Sequence, residues 1–147
     1  MLHARTSIRQ TFVDILKGKT AAKDKVYDSR LYSMNDSSLP GIIIFSSQEE
    51  IVTSTISPPR CQNRTARITV ECYAKATTSV NIIVDNMTAE VESLVLNNPE
   101  LKKLCKDCRL ESTDISLNSD GDQPVAVASL VFAVSYQTKE TSPNIII

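Results

Sequence analysis

Residues 80–97, VNIIVDNMTAEVESLVLN, carry the strongest local pattern in the chain. Val80, Ile83, Val84, Met87, Val91, Leu94 and Val95 recur by threes and fours, which at 3.6 residues per turn places them along one side of a helix. Each such side chain contributes roughly 1.5 to 3 kcal/mol on burial, before ordering entropy is set against it. A helix with that stripe is the main lid over a sheet, and Asn97-Asn98-Pro99 ends it.

Upstream the period is two. In RTARITVECYAKA (64–76), Ile68, Val70, Cys72 and Ala74 share one face, and Arg67, Thr69, Glu71 and Tyr73 the other. One face meets the core and the other meets solvent or a partner. EEIVTSTIS (49–57) is a second strand-like run, separated from the first by PPRCQN, where adjacent prolines offer no ladder donors. Together they predict an antiparallel hairpin with a long tip. Ile42, Ile43, Ile44 and Phe45 form a short, wholly apolar run and predict a strand covered on both faces. It is introduced by the loop-forming SMNDSSLPG (33–41). Residues 25–31 alternate weakly and predict a short strand. Before them, Ile8, Phe12, Ile15 and Leu16 predict an amphipathic helix that stops at Lys17-Gly18-Lys19.

Downstream, residues 100–106 add one further helical turn. DCRLESTDISL (107–117) reads as a strand, NSDGDQ (118–123) as a turn, and PVAVASLVFAVSYQT (124–138) as a long strand. In that last strand Ala126, Ala128, Leu130, Phe132, Val134 and Tyr136 face one way. Apolar atoms on its other face as well place it inside the sheet or in a subunit contact. The predicted fold class is α+β: a mixed, largely antiparallel sheet with a β-hairpin and two main helices packed on it. Residues 1–137 form a single domain and 138–147 a loosely held tail.

Composition narrows the function classes. A chain of 147 residues with 41% hydrophobic and 22% charged residues has the makeup of one globular domain. Sixteen basic against seventeen acidic residues, net −1, leave no basic footprint for coating nucleic acid. The longest apolar runs are a few residues, so neither a signal segment nor a membrane span is expected. Four cysteines without export signals are expected to stay reduced, and the sequons at Asn35, Asn63 and Asn86 then carry no meaning.

The chain contains few of the residues that catalysis needs. Cys105-Lys-Asp-Cys108 has the spacing of half a zinc site, and the remaining candidates are Cys61, Cys72 and His3. Cys72 belongs to an apolar strand face, and the pair itself follows a helix instead of opening one, so the helix dipole does not favour a thiolate. One histidine rules out a histidine triad or multi-histidine metal site, and three glycines rule out a phosphate-binding glycine loop. Asp114, Asp120 and Asp122 suit a polar turn better than a calcium site. No catalytic residue, cofactor or metal is expected. Charge placement says slightly more: Arg60, Arg64 and Arg67 border the hairpin tip and Glu49 and Glu50 open its first arm, making a projecting ribbon that reads first as a solvated hairpin and, more sharply, as a protein-docking arm.

The succession SIRQTFVDILKG, LPGIIIF, ARITVECYAKA, VNIIVDNMTAEVESLVLNNPEL and VFAVSYQT resembles the tail terminator, or minor tail protein U-like, family of long-tailed bacteriophages. The likeness spans residues 4–137; CKDC and the terminal NIII stand outside the pattern. The resemblance implies a homo-oligomer, a hexameric ring, that caps the tail tube, stops its polymerisation and offers its other face to a head completion or neck protein. Such a protein works at the head-proximal end of the virion tail, assembles in the host cytoplasm, and lets DNA pass without binding it specifically. Glu49, Glu50, Arg60, Arg64, Arg67, Glu111 and Asp114 are the candidate interface residues, with the carboxylates at the DNA-facing surface. Another head-to-tail joining protein is the nearest alternative; a small CxxC thiol or zinc protein is the alternative from a different class.

Overall fold

The computed structural model describes residues 2–28, 39–76, 79–118 and 125–147, with Asn118 described in its backbone only. The turn expected over 118–123 and the loop over 33–41 therefore lie almost wholly outside the described residues. Helix α1 (Ala4–Leu16) is followed by strand β1 (Val26–Asp28), the long strands β2 (Gly41–Thr53) and β3 (Cys61–Lys75), helix α2 (Val80–Asn97), the short helix α3 (Pro99–Leu104), and strands β4 (Asp107–Asn118) and β5 (Val125–Lys139). The strands form one sheet in the order β1-β2-β3-β5-β4. Only β1 runs parallel to its neighbour, and the other pairings are antiparallel. The fold is α+β, with the helices packed on one face.

The α2 stripe behaves as its period requires. Val80, Val84, Met87, Thr88, Val91 and Val95 are buried, and Ile83 and Leu94 pack at the margin. Its ends are poorly capped: Ser79 has φ 57° and makes no side-chain cap, the first turn has no acid and the last no base. Packing, not capping, therefore holds α2 in place. Beneath it lie Ile68, Val70, Cys72 and Ala74 of β3 and Ala126, Ala128, Leu130, Phe132 and Val134 of β5, all fully buried. Phe12 of α1 meets Phe132 edge-on with ring centres 5.6 Å apart, joining the first helix to the same core. After Leu16 the chain turns through Gly18 at φ +78°, a conformation that favours glycine.

Two features depart from the expected layout. GIIIF and EEIVT belong to one continuous strand, β2, interrupted only by a register shift between Ser46 and Gln48. The hairpin is also no free ribbon, because β5 pairs with β3 as far as Cys61↔Lys139. The stem is thus embedded in a three-stranded sheet, residues 54–60 alone project, and Cys61 opens β3 instead of sitting in the tip.

Candidate functional site

The bulge in β2 decides where the charges go. Ahead of it Ile42 and Ile44 stand opposite Cys72 and Val70 on the helix side; one extra residue inverts the alternation, so that Glu49 stands opposite Ala66 on that same side. A carboxylate is thereby carried under the helices, its side chain 6% exposed. Its Oε1 accepts hydrogen bonds from Arg64 Nη1 at 2.8 Å and Arg5 Nη1 at 2.5 Å, and its Oε2 from the Tyr136 hydroxyl. Arg64, only 7% exposed, also donates through Nε to Thr138 Oγ1 at 3.0 Å and through Nη2 to Gln62 Oε1 at 2.7 Å. Burial, and the bond to Glu49, raise the Tyr136 pKa and keep its hydroxyl a donor.

This clasp ties together distant parts of the chain. His3 Nδ1 accepts from Arg5 N at 3.1 Å and caps α1, so His3 is not part of a mobile end. Burial and the nearby Arg5 and Arg64 lower its pKa, against the opposing pull of Glu49. The C-terminal tail is also held. Ala4 N donates to Pro143 O at 3.0 Å, Glu140 N to Arg60 O at 2.8 Å and Ile147 N to Gln137 O at 2.9 Å, while Ile146 packs against the core. The tail expected to be loose is thus seated on α1 and the end of β5.

A second group occupies the open face of the sheet. Glu111, at the irregularity of β4 between Leu110 and Ser112, lies on that face, where its two oxygens accept from Arg67 Nε and Nη2 at 3.2 and 3.1 Å. Arg67 Nη1 lies 3.3 Å from Glu50 Oε1, at ion-pair distance but without hydrogen-bond geometry. Nearby, Glu71 accepts from Tyr73 and Ser129, each at 3.2 Å, and burial with that carboxylate pushes the Tyr73 hydroxyl up to about 12. Asp114 is exposed on this face opposite Ser129. Arg60 lies at the hairpin base, 3.5 Å from Glu140.

The seven candidate residues therefore separate. Glu49 and Arg64 belong to a buried clasp, Glu50, Arg67 and Glu111 form a charged row on the open face, and Arg60 and Asp114 stand apart from both. Arg5, Tyr136 and Thr138 were not among the candidates. The available signal was two polar tips, Tyr136 and Thr138, on the otherwise apolar face of β5, which require a polar partner once buried.

CKDC lies at an element boundary. Cys105 ends α3 with its Sγ donating to Leu101 O at 3.1 Å, and Cys108 is the second residue of β4. They flank a cavity of about 160 Å³ shared with Val95, Leu101, Lys102 and Lys106. Burial, followed by Cys105 and Asp107, pushes the Cys108 thiol up to about 12, and burial raises Cys105 too. Neither is a ready thiolate. Among the described residues no group of three or more His, Cys, Asp or Glu could hold a metal, and no helix is long and apolar enough to cross a membrane.

No match to a curated protein is found. The family model described as phage minor tail protein U matches residues 3–136, from the residue that caps α1 to the tyrosine that closes on Glu49. With the match covering the whole helix-on-sheet unit, the chain belongs to the phage minor tail protein U family and is a structural component of a phage tail.

Proposed function

We propose that this tail protein is the terminator of the tail tube: copies close into a hexameric ring on the head-proximal end, stop tube polymerisation and present their other side to a head completion or neck protein. The observation that carries the proposal, beside the family, is the one-sided helix layer. Among the described residues the five-stranded sheet carries its helices on one face, leaving a broad face of mixed charged, polar and apolar side chains for contact with other chains or with passing DNA.

On that face Glu50, Glu111 and Asp114 supply carboxylates, with Arg67 held between two of them. With its acids and bases nearly balanced, such a surface has no excess of cations to hold phosphate, which suits a channel that DNA must traverse. Glu49 is buried in its clasp and serves this role only by setting the hairpin's position. The work of the protein on this reading is assembly, not catalysis.

The test is the mass of the purified protein in solution, followed by electron microscopy with isolated tail tubes. A ring seated on one end of each tube is the expected result. A protein that stays monomeric and ignores tubes overturns the proposal, and one that binds only heads assigns it to the neck instead.

A further inference from the structure

The cavity of about 160 Å³ beside Cys105 and Cys108 has no part in the clasp or in the open face of the sheet. It lies where α2 ends, α3 follows and β4 begins. Its floor is apolar. Val95, Leu101 and Cys105 are buried there, and Cys108 joins them because it stands opposite Val134 on the helix side of the sheet. Burial keeps both thiols neutral, so they act as small apolar lining. That gives the CKDC pair a use that needs neither a thiolate nor a metal. Leu96, 36% exposed, forms an apolar lip on the solvent side.

The rim is cationic. Lys102 and Lys106 are exposed beside the cavity. Among the described residues Lys102 has no ion-pair partner, and the Lys106 ammonium donates to Oε1 of Gln137, a neutral acceptor, at 3.0 Å. Asp107 reaches the rim too, but it stands opposite Ser135 on the open face, where its carboxylate lies 3.9 Å from Arg109 Nη1. Two lysine charges are therefore left uncompensated beside an apolar recess.

A cavity of about 150 Å³ holds a benzene ring, so this one admits a single large apolar side chain. A structural component of a tail works through contacts with other proteins, and such contacts are carried by anchor side chains seated in pockets. The lysine rim selects the anchor whose neighbours are carboxylates.

We infer that this cavity receives a side chain the size of leucine or phenylalanine from another tail protein, flanked in that protein by acidic residues that meet Lys102 and Lys106. The inference rests on membership of the tail and not on the ring, so either can fail without the other.

The experiment titrates isotope-labelled full-length protein with three blocked tripeptides: phenylalanine between two aspartates, between two asparagines, and between two lysines. The acidic peptide should give saturable shifts at the amides of Leu101, Cys105 and Cys108, and bind roughly three- to tenfold more tightly than the asparagine peptide. Lys102→Glu combined with Lys106→Glu, both at exposed positions, should make the lysine peptide the tightest of the three. No saturable shift at these amides, or equal binding of the three peptides to the unaltered protein, would overturn the inference. Tighter binding of free benzoate than of the acidic peptide would overturn it as well, and would assign the cavity to a small carboxylate.

Discussion

Replacing Glu49 by alanine should destabilise the protein far more than replacing any of the candidate charges at the surface. The carboxylate is 6% exposed and accepts from Arg64, Arg5 and Tyr136. Its removal strands the Arg64 guanidinium, 7% exposed, with only the neutral acceptors Thr138 and Gln62. Breaking a buried pair in this way costs about 3 to 5 kcal/mol. For a chain of this length, each kcal/mol lowers the melting temperature by about 2 to 4 °C, so the loss should be roughly 6 to 20 °C. Arg67→Ala is the control: its partners Glu50 and Glu111 are solvent-accessible, so the expected cost is about 1 kcal/mol or less. Urea titration and thermal melting followed by far-ultraviolet circular dichroism measure both. Glu49→Leu combined with Arg64→Met should be more stable than Glu49→Ala alone, since no buried charge is then left without its counterion. If Glu49→Ala costs no more than Arg67→Ala, the clasp is not buried in solution and the reasoning fails.

His3→Ala should cost about 0.5 to 2 kcal/mol through the lost cap, and His3→Asn should restore most of it. The pKa of His3 is lowered on folding, so its contribution is whole above the ordinary value of 6.5 and is lost as pH falls from there through the folded pKa. The unaltered protein should therefore lose stability relative to His3→Asn between about pH 7.5 and pH 5, and equal slopes would refute the assignment. Cys72 is fully buried and its thiol is pushed up to about 12, so a thiol reagent should label it only on unfolding, whereas half-buried Cys108 should label slowly in the native state. Fast labelling of Cys72 in the native state would count against its burial. Deleting residues 144–147 removes the Ile147–Gln137 bond and the packing of Ile146, and should cost about 1 to 3 kcal/mol in the same urea titration. An unchanged midpoint would mean that the tail is detached in solution.

The elements that could be foreseen are those whose pattern is local. The α2 stripe, the alternation of β3 and β5 and the Ile8–Phe12–Leu16 face of α1 each declare a buried side within one stretch of chain, and the structure buries those residues. CKDC was also placed correctly at a helix end, because neighbouring residues alone define that boundary. The candidate charges were less legible. Glu49 and Glu50 look alike in sequence, yet one is buried with two arginines and the other pairs at the surface.

What the amino-acid sequence determined by itself was thus the α+β class, the helices and the faces of the long strands, since these depend on side-chain period and backbone preference over a few residues. Strand order, the seating of the tail and the fate of each charge were decided only in the tertiary structure. A single extra residue in β2 and another in β4 invert which side chains face the helices, and a bulge is defined only against the strand it pairs with. Register is a relation between distant segments, and through it Glu49 came under the helices and Glu111 came to Arg67.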